Sequence, residues 1–260
     1  MASQQRAKIL YYDIETSPNM AAIWSTFQKY GGQVAVWVDK PWHMLSFAYK
    51  WEGDRKVSCL ALPDFPLYKV DPDNDYELVV ALHDLISQAD IVIAHNGDQF
   101  DWRAINARFV FHGLAPPPPI LMIDTLKLAR RYFRFSSNSL EALGELFGFG
   151  HKHPGHDYSL WRGCMLGHEK AWRTMRAYNK QDIVLLEKVY KRLRPWMKGH
   201  PRVMPWETGK TCPTCGGKLH RRGYQRSKTM VYRRFQCQKC GAWSRERLPD
   251  KLVEKPMVTN

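Results

Sequence analysis

Four cysteines near the C-terminal end of the chain constrain more than any other feature what that end can form. Cys212 and Cys215 make one Cys-x-x-Cys pair, Cys237 and Cys240 make a second, and 21 residues lie between the pairs. This spacing reads as a metal site in a reducing compartment, not as a disulfide framework. Four thiolates suit Zn2+ and leave no coordination position open, so the ion called for is structural. Gly216, Gly217 and Gly241 follow the pairs directly and let the backbone turn so that amides point at the sulfurs. The other two cysteines, Cys59 and Cys164, stand alone.

Charge sets the same end apart. The 260-residue chain carries 39 Lys and Arg against 25 Asp and Glu, a formal net charge of +14. Residues 1–190 hold 21 basic and 21 acidic side chains, while the remainder hold 18 and 4 and so carry the whole excess. A neutral body with a cationic end points to a polyanion, nucleic acid or membrane surface, and to at least two domains. Between the cysteine pairs, Arg221, Arg222, Arg226, Lys228, Arg233 and Arg234 are interleaved with Tyr224, Tyr232 and Phe235. That mixture suits a grip on a phosphate backbone without base reading. With 44% hydrophobic and 25% charged residues the chain is of ordinary globular composition, which excludes disorder of the whole. No apolar run approaches the roughly 20 residues needed to span a bilayer, and the N-terminal MASQQRAKILYYDIE meets charge too early for an export signal. A soluble, cytoplasmic protein with no membrane partner is expected.

Periodicity predicts an α/β fold with strands first and helices interleaved later. Strand-like runs cover 8–15, 44–51, 57–62, 91–96 and the ILMID that ends at Asp124. Helical patterns cover 76–89 and 100–111, begin again near Thr125 and Ser139, and run long over 168–194. The proline-rich PWMKGHPRVMPWETG, 195–209, reads as a linker. The expected division is a body over 1–194, a linker over 195–209, a cysteine module over 210–248 and a tail over 249–260.

Acidic residues mark three of these elements. Asp13 and Glu15 lie two apart on a strand, so both project from one side of it. Their repulsion calls for a cation or for solvent. Asp101 falls in the first turn of a helix, where a carboxylate can face a cation, while Asp98 is the expected N-cap. Tyr178 and Asp182 are four apart on one helical face. Four acidic groups from three separated elements suit a pair of divalent cations about 3.5–4 Å apart, the arrangement used for phosphodiester cleavage. Hard oxygen ligands favour two Mg2+ or Mn2+ over Zn2+.

The motifs YYDIET, NGDQFD (Asn96 to Asp101) and Tyr178-x3-Asp182, in this order, resemble those of the DnaQ-like (DEDD) 3′–5′ exonucleases of the ribonuclease H-like superfamily. The intervening IDTLKLARRYF and SNSLEALGELFGFG extend the resemblance over most of 8–194. It implies a ribonuclease H-like mixed sheet flanked by helices. It implies that Asp13, Glu15, Asp101 and Asp182 ligate two metals, directly or through water, and that Tyr178 orients or activates the attacking water. A phenol ordinarily ionises near pH ~10, so orienting is the fitting role. One branch of the family has His five residues before the last Asp; Ala177 stands there, which places this chain with the tyrosine (DEDDy) branch. Thr16, Asn96 and Phe100 match positions that contact the terminal nucleotide, although Phe100 fits a core role equally well.

The cysteine module resembles the zinc ribbons added to phage and mobile-element proteins as nucleic-acid-binding units, which implies that Arg221, Arg222, Arg233 and Arg234 hold substrate. The combined expectation is an exodeoxyribonuclease that releases nucleoside monophosphates from a single-stranded 3′ end. It would work in bacterial or phage-infected cytoplasm, alone or recruited by a separate polymerase or replication protein. An RNA 3′ exonuclease, a structure-specific endonuclease and a non-catalytic binding protein are the alternatives. His151, His153 and His156 read as a solvated or phosphate-contacting loop, Asp124 as a structural or helix-start carboxylate, and most of Trp24, Trp37, Trp42 and Trp51 as core or rim packing, with stacking on unpaired bases as the alternative.

Overall fold

Strand β1 (Ile9–Thr16) is apolar on both faces, and a strand of that kind must be covered on both sides. Leu10, Tyr12 and Ile14 enter one buried cluster, Ile9 and Tyr11 another. The computed structural model, which describes residues 6–24, 35–150, 157–204, 211–227 and 230–247, accordingly puts β1 at the centre of a five-stranded mixed sheet. β1 pairs antiparallel with β4 (Met44–Trp51) and parallel with β6 (Ile91–Ala94). β5 (Ser58–Ala61) extends the sheet beyond β4, and β7 (Leu121–Asp124) extends it beyond β6, giving the order β5-β4-β1-β6-β7.

Helices cover the two faces. α1 (Tyr76–Ile86), α2 (Asp101–Phe111) and α5 (Tyr158–Met165) bury their apolar stripes with Leu10, Tyr12 and Ile14. α3 (Thr125–Tyr132) and α4 (Leu140–Leu146) pack with Ile9 and Tyr11. The long α6 (Glu169–Leu193) serves both layers. Trp172, Met175 and Tyr178 join the first cluster, and Ile183, Leu186, Val189 and Leu193 join the second. The helix thus changes layers between Tyr178 and Asp182. It is pinned to β4 by Lys50, whose Nζ lies 2.6 Å from the Glu187 carboxylate. Burial raises the Glu187 pKa, but Lys191 and Lys50 together hold it below the ordinary value. This is the mixed α/β architecture the periodicity predicts; α5 was not expected, because its eight residues include Gly163 and a short, broken apolar stripe.

Two smaller sheets complete the described chain. β2 (Met20–Ala22) and β3 (Trp37–Lys40) form a hairpin. It leaves Trp24 91% and Trp37 69% exposed, against the packing expected of most of these rings; among the described residues no second layer covers them. Trp42 and Trp51 are half-buried, as rim residues. β8 (Leu219–Arg226), β9 (Val231–Cys237) and β10 (Trp243–Arg247) make an antiparallel sheet in the order β10-β9-β8. Between α6 and β8, Val203 is 2% exposed, accepts the Ala7 amide and donates its own amide to Pro213. The described part of the proline-rich stretch is therefore tied to the body at one side and to the cysteine module at the other. His151, His153 and His156 lie outside the described residues, as do Lys228 and the segment 249–260. No described helix is long and apolar enough to cross a membrane.

Candidate active site and metal centres

The period-two geometry of β1 places Asp13 and Glu15 on the face of Ile9 and Tyr11, the side that α6 crosses. One carboxylate oxygen each from Asp13, Glu15 and Asp182 lie within 4.8 Å of one another. Asp182, only 3% exposed, comes from α6 at the point where the helix changes layers. Tyr178, one turn earlier, is buried and packs edge-on against Trp161 with 5.9 Å between ring centroids. Asp101 reaches β1 from the first turn of α2, where its Oδ1 accepts the Ile14 amide at 3.3 Å. It is 2% exposed, and its pKa is pushed up to about 7, chiefly by burial and further by the Asp124 charge, against the lowering effect of the Ile14 amide. Three of the four expected acids thus gather into one group, and the fourth lies alongside on the residue between Asp13 and Glu15. The gathered donors are all carboxylate oxygens, without His or Cys, and so fit a hard divalent cation such as Mg2+ or Mn2+.

Asp13 is held by a residue that the motif analysis passed over. Asn179, fully buried on α6, donates from Nδ2 to Asp13 Oδ2 at 2.7 Å, and its Oδ1 accepts from Ser46 Oγ at 3.2 Å. Both ends of the amide are engaged, so its plane, and with it the carboxylate, is fixed in rotation. A mid-helix Asn beside a Tyr carries no sequence signal, because its polar end normally faces water.

The turn from β6 into α2 is equally constrained. Asn96 adopts φ 68°, a left-handed conformation sparse among non-glycine residues but tolerated by Asn. Asp124 holds it there: one carboxylate accepts the amides of Asn96, Asp98, Leu126 and Lys127, capping α3 while fastening the turn. Asp124 is thus the structural, helix-start group expected. Asp98 is not the N-cap of α2. The cap falls two residues later, at Phe100, and the helix starts at Asp101, because the amides at 96 and 98 are taken by Asp124; Asp98 pairs with Lys127 instead. A Cβ at Gly97 would lie 2.5 Å from the Ala94 Cβ, so this turn closes only with glycine. Phe100, of core or surface role by sequence, is 48% exposed, and Thr16 follows a register shift in β1 and is half-buried.

Asp13, Asp182 and Asn96 line one groove of about 590 Å³. Its other wall is Arg130 and the segment Ser136–Ser139, which sequence reading did not single out. His95 ties the walls together, with Nδ1 on Thr125 Oγ1 at 2.8 Å and Nε2 on the Asn138 carbonyl at 3.0 Å. These are pairings across 30 and 43 positions that no local pattern announces.

In the cysteine module the four sulfurs converge as the spacing predicts. Cys212 and Cys240 are 3.8 Å apart and Cys215 and Cys237 3.6 Å apart, close to the ~3.8 Å edge of a tetrahedron with Zn–S bonds of about 2.3 Å. Amides of Gly217, Lys239 and Cys240 point at sulfur, at 3.4–3.5 Å. A Cβ on Gly217 would fall 2.8 Å from Cys237 Sγ, so the cradle needs glycine there. The Cys240 thiol, ahead of the amides of Thr214 and Cys215, holds the Cys212 pKa well below its ordinary value. The donor set and its geometry fit one structural Zn2+.

The register of the three-stranded sheet sorts the arginines. Arg221 and Arg233 share a face with Phe235, since Arg221 pairs with Phe235 and Arg233 with Tyr224. Arg234 stands on the opposite face with its guanidinium 4.8 Å over the Trp243 ring. Arg222 falls in a bulge opened by Gly223 at φ 77°, where its carbonyl accepts from Arg234 Nε.

A mixed sheet with carboxylates gathered at the end of its central strand is an arrangement suited to holding a divalent cation against a phosphodiester. The RNase H superfamily model matches residues 63–194, half of the chain, and the chain belongs to that superfamily. The match takes in Asp101, Tyr178 and Asp182 and begins after β1. None of the curated proteins matches the sequence. Among solved structures, the family B DNA polymerase from the hyperthermophilic archaeon Pyrobaculum calidifontis has a similar fold, with TM-score 0.54 and 15% identity over 74% of this chain. This chain covers 25% of the length of that polymerase chain.

Proposed function

We propose that this protein is a divalent-metal-dependent 3′–5′ exonuclease of the DEDDy type that removes nucleoside monophosphates from the 3′ end of DNA. The observation that carries the proposal is the meeting of Asp13, Glu15 and Asp182 within 4.8 Å, on a groove large enough for a nucleotide. Superfamily membership supports the reaction class, and the likeness to part of a polymerase is compatible with work beside one. The body, the cysteine module and the segment joining them are proposed as catalytic unit, binding unit and connector.

Asp13, Glu15, Asp182 and, with a small shift of its carboxylate from the Ile14 amide, Asp101 would hold the metal pair. When bound, that pair lowers the pKa of the attacking water and takes up charge at the leaving oxygen. Asn179 keeps the Asp13 carboxylate in one orientation, so the ligand set is arranged before substrate arrives. Tyr178, buried at the layer change of α6, positions the water. Asn96 and Phe100 hold the terminal nucleotide, with Thr16 beside the carboxylates. The four-cysteine zinc keeps the binding module folded and takes no part in bond cleavage.

The test is digestion of a 5′-labelled single-stranded oligonucleotide with and without Mg2+ or Mn2+. A ladder that shortens from the 3′ end only with metal is expected. Digestion of RNA but not DNA makes the protein an RNA exonuclease, an internal cut makes it an endonuclease, and an intact but retarded strand makes it a binding protein; each of these outcomes overturns the proposal.

A further inference from the structure

The +14 charge is not spread evenly over the residues beyond 190 that carry it. A cleft of about 410 Å³ lies between the Phe235 face of the three-stranded sheet and Arg202 of the segment after α6, and Thr211 of the module lines it too. Three arginines come to it from three places: Arg221 from β8, Arg233 from β9 and Arg202 from the segment after α6. One acid, Glu246, borders it 3.7 Å from Arg233. The Ser244 hydroxyl, on the strand paired with Phe235, is buried and has no hydrogen-bonding partner among the described residues. A polar atom left in that state costs about 1–3 kcal/mol unless something else engages it. Arg202 is not loosely placed, because its Nε donates to the Met204 carbonyl and Val203 next to it is bonded on both sides into the fold. Arg245 borders the cleft too, but its guanidinium lies 4.3 Å over the Tyr232 ring on the other face.

We propose that this cleft is a phosphate-binding site that seats one backbone phosphate of a nucleic-acid strand, gripped by Arg202, Arg221 and Arg233 with the Ser244 hydroxyl as a neutral donor. Guanidiniums on two facing walls can approach a phosphodiester from both sides, and a hydroxyl between them adds a hydrogen bond without charge. The arginines outside the cleft, Arg222, Arg226 and Arg234 among them, then act only as diffuse positive charge. Arg202 belongs to the connector, so a phosphate seated here would bridge connector and ribbon sheet and fix the strand relative to the groove on the body. The proposal rests on the reading of the protein as one that acts on nucleic acid, and it names where the strand is held.

Binding of a fluorescent single-stranded oligonucleotide is measured on the full chain carrying Asp182→Ala, across a series of salt concentrations. Arg202→Gln, Arg221→Gln and Arg233→Gln are each expected to weaken binding about five-fold, and the three substitutions together to lower the salt slope by roughly 0.7, the value for the one phosphate they share on a single strand. Ser244→Ala is expected to weaken binding about three-fold and leave the slope unchanged, since a neutral donor releases no counterion. Arg226→Gln and Arg234→Gln are expected to weaken it less than about two-fold. Equal losses for arginines inside and outside the cleft would overturn the site in favour of a diffuse surface. Wild-type oligonucleotide affinity in the cleft variants, together with saturable binding of inorganic phosphate to the unaltered cleft, would make it a free-anion site and overturn it as well. Zinc content and melting temperature of each variant separate loss of fold from loss of contact. An unaltered chain that fails to digest any labelled strand removes the exonuclease proposal and leaves this comparison standing, whereas intact digestion with equal arginine losses removes only the cleft.

Discussion

The carboxylate site and the cysteine module achieve the same thing, a metal-ready cluster of four or so ligands, by opposite routes. In the module the ligands lie within 29 consecutive residues, and the sulfurs converge because short turns bring each pair round. In the body they come from a strand and two helices, and Asp13 and its positioning partner Asn179 are 166 positions apart. The first cluster lies in a small sheet with little core beyond the cysteines themselves; the second is assembled by the hydrophobic layers on both faces of β1. Their charges differ in the same sense. Residues 1–190 are neutral as a whole and bring a few of their 21 acids together at the site, and the module is cationic with almost no acid to offset it.

The largest effects should separate chemistry from binding. Asp182→Ala is expected to lower kcat by about 10³-fold or more, in keeping with loss of a metal that serves both attacking and leaving oxygens, while melting temperature and oligonucleotide affinity change little. Steady-state digestion alongside a thermal melt checks this. Cys237→Ser is expected to do the reverse. It should release the zinc, read by elemental analysis, and raise Kd for single-stranded DNA by roughly 10²-fold with kcat at saturating substrate nearly unchanged, since about half a dozen phosphate contacts would be lost. Comparable kcat losses in the two variants would end the division of labour.

A smaller change sharpens the account of the body alone. Asn179→Ala removes only the partner of Asp13, and should weaken Mn2+ binding about ten-fold, within the range for losing an outer-shell hydrogen bond. Titration of Mn2+ by electron paramagnetic resonance measures this directly, and excess Mn2+ should restore most of the turnover. A variant that binds Mn2+ normally but turns over slowly would mean that Asn179 acts on something other than Asp13.

The smallest effect is one of pH. Asp101 is pushed from 3.8 up to about 7 in the folded chain, chiefly by burial. Between those values the unfolded chain has released this proton and the folded chain keeps it, so folding grows less favourable as pH rises. The contribution is fully present below pH 3.8 and lost once pH passes about 7. Melting temperatures of the metal-free body should therefore fall across that window through this group, and Asp101→Asn should flatten the fall.

Much of the candidate site was legible in the residues because its geometry is local. Asp13 and Glu15 share a side through the alternation of a strand, and Tyr178 and Asp182 share one through the pitch of a helix. The cysteines were legible for the same reason. Residues whose role depends on a partner far along the chain were not. Asn179 acquires meaning only opposite Asp13 and Ser46, His95 only between Thr125 and Asn138, and Arg202 only across from the ribbon sheet. Trp24 and Trp37 depart from the packing expected of most of these rings, because large aromatics usually find a second layer to pack on and among the described residues none covers this hairpin.

By itself the sequence determined the strands of the main sheet and most of its helices, the side on which each pair of acids projects, the four-cysteine ligand set and the placing of all net charge beyond residue 190. Those follow from bond geometry, periodicity and counting, which need no knowledge of what lies opposite. Only the tertiary structure decided that α6 changes layers at Tyr178–Asp182, that three carboxylates meet there while Asp101 rests on the Ile14 amide, and that the basic residues divide into a cleft and a surface. These depend on the packing of two apolar layers around one strand, and packing is a property of pairs distant in sequence that no window along the chain contains.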